Sequence, residues 1–170
     1  FRSHCSRAWL AAAGAALTLA VASPVFAQGT AESHFNIYLR STPVGTETVS
    51  VESGADGIVI TGSGRMSPPL DLVLRQFRAR YDASWKPLEL TVDATLRGQA
   101  SFLSTVVTGT SAASELSSAG TERERRLEQV DAQAIFLPNP FIAPYEAISA
   151  RLRTAATVTS LSIYQPGHGS

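Results

Sequence analysis

One stretch near the middle of the chain constrains the fold more than any other. Apolar and polar residues alternate without interruption from Leu88 to Arg97. A period of two is typical of a β-strand with one buried face and one solvated face. The stretch therefore predicts a middle strand of an antiparallel sheet, which the chain enters through Tyr81 and Trp85 and leaves through Gly98.

Further strand signals lie on both sides of this central strand. Alternation or β-branched residues mark residues 35–39, 46–53, 58–61, 101–108 and 157–164, and a short apolar run covers residues 134–137. Asp56-Gly57 is a strong hairpin signal. Residues 121–129 are rich in charges of both signs, which is typical of the solvated face of an edge strand or short helix. The pattern predicts a mainly β fold, a curved antiparallel sheet or partly open barrel of about seven to nine strands.

Residues 70–81 fit two descriptions. The apolar residues at 70, 73, 74, 77 and 81 form a helical stripe behind a proline, whereas those at 70, 72 and 74 alternate as in a strand. A β-bulge near Arg75 and Gln76 would then bring Phe77, Ala79 and Tyr81 onto one face. We favour the strand, because it would form an antiparallel hairpin with the central strand.

One helix is predicted near the carboxyl end. Asn139 and Pro140 supply a cap and a first-turn proline, and Pro144 should confine the regular part to residues 145–153. Four apolar residues fall on one helical stripe: Phe141, Tyr145, Ile148 and Leu152. The stripe predicts that the helix packs on the sheet through these side chains.

Residues 1–27 are predicted to be a signal peptide. Arg2 and Arg7 precede an apolar run of roughly 15 residues, which is shorter than the ~20 that span a bilayer. Small residues lead to Ala27, after which we expect cleavage. Cys5 is the single cysteine and would leave with this peptide, so the mature chain would fold without disulfides. We expect an exported protein, periplasmic or extracellular, with one β-rich domain over residues 28–170.

The two ends of the sequence indicate part of a longer protein. The chain starts at Phe1 rather than methionine and stops at Ser170, shortly after a predicted strand. We therefore expect the domain to be truncated at its carboxyl end.

Charge and motif content exclude several classes of function. The 14 basic residues balance the 14 acidic ones, so no basic field exists to attract nucleic acid. The three histidines, His4, His34 and His168, do not have the spacing of metal ligands, and no signature of a cofactor site is present. We therefore expect neither a metal nor a cofactor.

A serine nucleophile has one weak candidate. Ser111 lies in Gly-Thr-Ser-Ala-Ala, which differs from a nucleophile elbow at its last position. No helix is predicted after it, and a base would have to be His34 or His168. We therefore assign no catalytic residue to this chain.

Aromatic residues cluster around the predicted central hairpins. Phe77, Tyr81, Trp85 and Phe102 are the candidate ligand-binding residues, because a curved sheet covered by the helix would enclose either a core or an apolar pocket there. Core filling is the simpler interpretation. Trp85, in the loop beside Pro87, is the strongest candidate for contact with a ligand.

Three groups of residues carry a resemblance to a known family. They are FNIYL with PVGTE at residues 35–39 and 43–47, YDASWKPL at residues 81–88, and LPNPF with PYE at residues 137–141 and 144–146. These resemble the amino-terminal β domain of some exported bacterial α/β-hydrolases, and also envelope proteins of unknown function. The resemblance implies a non-catalytic accessory module, with the catalytic serine, acid and histidine in a hydrolase domain beyond Ser170.

Two main hypotheses follow. The first is a secreted, non-catalytic β module whose partner is a carboxyl-terminal hydrolase domain. The alternative is a periplasmic carrier that binds a lipid or other apolar small molecule in a curved sheet. A self-contained hydrolase is the third hypothesis. None of them involves nucleic acid or a transmembrane anchor after signal cleavage.

Overall fold

The computed structural model describes residues 29–154 and 160–166. The predicted signal peptide and residues 157–159 of the last predicted strand lie outside these ranges. Within them, no helix has the length and apolar character needed to cross a membrane.

Eight strands form one antiparallel sheet in which each strand pairs with the next along the chain. They are β1 (Gly29–Leu39), β2 (Thr42–Gly54), β3 (Gly57–Met66), β4 (Leu72–Tyr81), β5 (Pro87–Leu96), β6 (Gln99–Thr108), β7 (Ser111–Ser118) and β8 (Glu124–Gln129). In the described part of the chain β1 and β8 are the two edges and do not pair with each other. The prediction of a mainly β, antiparallel fold is thus confirmed, as an open sheet.

The chain after β8 covers one face of this sheet. It contains β9 (Ile135–Phe136), the helix α1 (Pro144–Thr154) and β10 (Ile163–Tyr164), and β9 and β10 pair in parallel. Phe136, Phe141 and Ala147 from this layer join one hydrophobic core with the inward side chains of the sheet. We call the covered face of the sheet the inner face and the opposite one the outer face.

The ambiguous segment forms a strand with the expected bulge. β4 pairs Leu74 with Ala94 and Gln76 with Asp93, so Arg75 is an extra residue opposite the central strand. Leu72 and Leu74 are buried before the bulge, and the apolar residues after it return to the same face. The central strand β5 alternates as predicted from Glu89 to Thr95, but not at its ends: Leu88 is only partly buried and Leu96 is 46% exposed.

The helix differs from the prediction in its start and in its buried face. It begins at Pro144 and buries Pro144 and Ala147, whereas Tyr145 and Leu152 are 48% and 50% exposed. Of the predicted stripe, Phe141 and Ile148 pack in the core as expected, whereas the prediction is wrong for Tyr145 and Leu152. Small residues face the sheet because the backbone before the helix lies close to β3, where a Cβ atom built on Gly62 would lie 2.9 Å from the Cβ atom of Ala143.

Candidate functional site

The four predicted ligand-binding residues do not share one site. Phe77 and Tyr81 are buried on the inner face, and Trp85 is half-buried beside them. Phe102 is 41% exposed on the outer face, because its register partner on β5 is the outward-facing Asp93. The structure thus pairs Tyr81 with Trp85, places Phe77 farther along the same face of β4, and separates Phe102 from all three.

The inner aromatic residues pack against other aromatic residues of the chain itself. The Tyr81 ring centroid lies 5.5 Å from that of Trp85 and 5.7 Å from that of Phe136, and the centroids of Phe77 and Phe141 are 6.4 Å apart. These separations are typical of tilted aromatic pairs in a core. The space beside Phe77 and Tyr81 on the inner face is therefore filled by Phe136 and Phe141 of the covering layer.

Polar contacts accompany this packing. The buried Tyr81 hydroxyl accepts a hydrogen bond from the Phe136 N–H at 3.2 Å, and its burial raises the pKa of Tyr81. Arg151 of α1 donates from Nη1 to the carbonyl oxygens of Gln133 at 3.1 Å and of Trp85 at 3.5 Å. Trp85 thus contacts the covering layer through its carbonyl oxygen, while its ring packs against Tyr81 of the sheet.

Glu47 is the most unusual buried residue of the described chain. Its side chain lies on the inner face of β2 and is 1% exposed. The carboxylate accepts hydrogen bonds from the Ala143 N–H at 2.8 Å and from the Ile142 N–H at 3.0 and 3.1 Å. These two N–H groups directly precede α1, so the carboxylate also lies near the positive end of the helix dipole.

Two glycines on the neighbouring strand make room for this contact. A Cβ atom on Gly62 would lie 3.4 Å from Glu47 Oε1, and one on Gly64 would lie 2.5 Å from the Thr46 carbonyl oxygen and 3.0 Å from Glu47 Cα. The distance of 2.5 Å to the Thr46 carbonyl oxygen is too short for any residue with a side chain at position 64. The glycines around Ser63 are therefore explained by the close approach of β2 and the covering layer.

Burial and hydrogen bonding act in opposite directions on Glu47. Burial raises its pKa from the ordinary value of 4.5, and the hydrogen bonds from Ile142 and Ala143 lower it to a smaller extent. The pKa is raised as a result. The Glu47 carboxyl group thus attaches the covering layer to the sheet, and the protonation of this carboxyl depends on pH.

A second buried polar chain joins β10 to the sheet. Tyr164 Oη donates to Glu128 Oε2 at 2.6 Å, and Ser114 Oγ lies 3.1 Å from Tyr164 Oη and 2.9 Å from Thr105 Oγ1. Since the single hydroxyl proton of Tyr164 points at Glu128, Ser114 must donate to Tyr164 and Thr105 to Ser114.

This arrangement does not activate Ser114 as a nucleophile. The pKa of Tyr164 is raised to about 12, mainly by burial and further by its hydrogen bond to Glu128. A tyrosine that is neutral near pH 7 and already directs its proton elsewhere cannot take the proton of Ser114. The chain of hydroxyls therefore anchors β10.

The buried Glu47 had one signal in the sequence. It falls in phase with Val49 and Val51, on the side of the strand that an alternating pattern buries. A glutamate there requires a partner, and the partners are backbone N–H groups about 95 residues away in sequence, which no side-chain pattern identifies.

The described residues contain no cluster of three or more histidine, cysteine, aspartate or glutamate side chains that could hold a metal ion. In comparisons with known proteins, no family model, curated protein or solved structure matches this chain.

Replacing Glu47 should loosen the covering layer. Glu47→Ala leaves the Ile142 and Ala143 N–H groups without an acceptor and creates a cavity, so we expect a loss of about 2 to 4 kcal/mol in the free energy of unfolding. This loss is measured by urea unfolding, with Trp85 fluorescence as the signal. Glu52→Ala, on an exposed position of the same strand, is the control and should change the free energy by less than about 0.5 kcal/mol. Equal effects of the two variants would contradict the role of Glu47.

The raised pKa of Glu47 predicts a definite pH dependence. The folded state binds this proton more tightly than the unfolded state, so its contribution to stability is present below pH 4.5 and is lost as the pH rises through the folded-state pKa. The difference in unfolding free energy between wild type and Glu47→Gln, which does not titrate, should fall across that window and then stay constant. A difference that rises with pH would show that the backbone hydrogen bonds outweigh burial.

Proposed function

We propose that this chain is a non-catalytic β module of an exported α/β-hydrolase and that it holds the catalytic domain through the outward face of α1. The observation that carries the proposal is the position of Tyr145 and Leu152, which are about half exposed and lie seven residues apart on the helix. Residues with this spacing share one helical face. An apolar face that points away from its own sheet is available to a second domain.

The way in which α1 is attached supports this proposal. Glu47 holds the backbone that precedes the first turn, and Arg151 donates to two carbonyl oxygens from the last turn. The small residues Pro144 and Ala147 make the apolar contact with the sheet. The helix is therefore fixed at both ends without Tyr145 or Leu152, so these two side chains are held in place for a partner.

The family resemblance supports the identity of the partner. Residues of the first two groups contact the covering layer next to the third. Glu47 contacts Ile142 and Ala143, which lie between the two parts of the third group. The 81–88 segment contacts Phe136, which directly precedes that group, and Arg151. These residues form the support of α1. A module that resembles the amino-terminal domain of exported hydrolases would thus keep its most recognisable residues where the catalytic domain docks.

The first test is the complete gene. We expect the reading frame to continue beyond the codon of Ser170 and to encode a Gly-x-Ser-x-Gly elbow followed by an acid and a histidine. In that complete protein, Tyr145→Ser with Leu152→Ser should weaken the contact between the domains by about 2 kcal/mol and separate their thermal transitions in calorimetry. Leu127→Ser, at an 80% exposed position on the outer face, is the matched control. A stop codon directly after Ser170 would contradict the proposal.

The carrier alternative predicts a different result. Because Phe77 and Tyr81 are packed against the chain's own aromatic rings, we expect no saturable binding when the mature chain is titrated with a fluorescent fatty acid. Saturable binding that Phe77→Ala alters would support the carrier and count against the docking module.

A further inference from the structure

We propose that the outer face of the sheet carries a binding site for a neutral saccharide, built from Phe102, Arg75 and Asp93. The site is a shallow hollow of about 280 Å³ at the ends of β5, β6 and β7. Five further residues complete its lining: Ala100, Ser101, Ser117, Ser118 and Ala119. Neither the docking face of α1 nor the inner core contributes to it, so the inference is independent of the proposed function.

Phe102 supplies the apolar surface of the hollow. It is 41% exposed, and its register partners are Asp93 on β5 and Ser117 on β7, so polar groups flank the ring on both sides. An exposed aromatic ring presents a flat face with negative charge density. The C–H groups on one side of a pyranose ring are the matching ligand surface, because they are apolar and carry slight positive charge.

Arg75 supplies a fixed donor beside that ring. The bulge in β4 brings its guanidinium to β5, where Nε donates to Asp93 Oδ2 at 3.0 Å and Nη2 donates to Asp93 Oδ1. Further bonds run from Nη2 to the Ala94 carbonyl oxygen and from Nη1 to Thr95 Oγ1. A guanidinium has five N–H donors. One Nη1 hydrogen is therefore left without an acceptor among the described residues, on a group that is already held in one orientation.

The charge of the hollow selects the class of ligand. Arg75 and Asp93 neutralise each other, so the site has no net field that would attract a phosphate or a cation. It offers a donor from Arg75, and the hydroxyl group of Ser117, which lies opposite Phe102 on the outer face, can both donate and accept. A neutral ligand that bears several hydroxyl groups on one side and C–H groups on the other matches this set.

The size of the hollow favours a sugar over a lipid. Its volume is near the lower end of the roughly 300–1,000 Å³ of small-molecule sites. The Arg75–Asp93 pair and the Ser117 hydroxyl border the ring of Phe102, and an alkyl chain that covered them would remove their water without offering a hydrogen bond. One or two sugar rings fit such a surface, with the weak affinity that a shallow, open site provides.

The test is a titration of the ¹⁵N-labelled mature chain with cellobiose, maltose and N,N′-diacetylchitobiose. We expect at least one of them to produce saturating NMR shifts at residues 75, 93, 100–102 and 117–119, with a Kd of roughly 1–10 mM. Phe102→Ala should weaken this binding at least tenfold, and Phe102→Trp should retain it. Val106→Ala is the matched control, because Val106 is 49% exposed on the same strand and the same face.

A second variant distinguishes loss of the binding surface from a loss of stability caused by removing Phe102. Ser117→Gln places a larger polar side chain directly beside the ring and should also weaken binding tenfold while the melting temperature stays unchanged. The proposal is overturned if no disaccharide gives saturating shifts in the hollow. It is equally overturned if Phe102→Ala binds as well as wild type, or if the hollow binds a fluorescent fatty acid in preference to the sugars.

Discussion

The contact between Glu47 and the backbone before α1 is the interaction on which the covering layer depends. A carboxylate that is 1% exposed has lost its water and is stable only because two N–H groups, from Ile142 and Ala143, replace that water. The same N–H groups directly precede α1 and would otherwise have no acceptor, because no backbone oxygen of the described residues accepts from them. Sheet and helix thus satisfy each other's buried polar groups, which specifies where α1 sits.

The contact of Glu47 with the backbone before α1 also explains the orientation of the helix. An amphipathic helix normally docks through its widest apolar stripe. Here the backbone before α1 is held close to β3, and only small residues such as Ala143 and Ala147 fit at that distance. Tyr145 and Leu152 are therefore directed outward. Their exposure is a consequence of the Glu47 contact and of the glycines on β3. The buried Glu47 is thereby connected to the proposed docking surface.

The sequence predicted those parts of the fold that depend on local patterns. The hairpin at Asp56, the central strand and the bulge at Arg75 all follow from alternation and turn residues within a few positions of one another. The side of the sheet on which Phe102 lies did not follow, because both faces of β6 carry apolar residues: Phe102 and Val106 on one, Leu103 and Val107 on the other. Pairing with β5 decides between them, and pairing is a non-local property.

The division of the sheet into two faces limits where a ligand or partner can act. On the inner face the aromatic side chains contact one another, and the buried hydroxyl of Ser114 is held in a chain that ends on Glu128. Opening that face to a ligand would break these contacts, and the lost packing and unpaired hydroxyls would cost several times the affinity that a small apolar molecule provides. Binding at the outer face or at the outward side of α1 breaks no such contacts, because the exposed side chains there are already in water. Recognition at a surface is therefore the mode of action that this architecture favours.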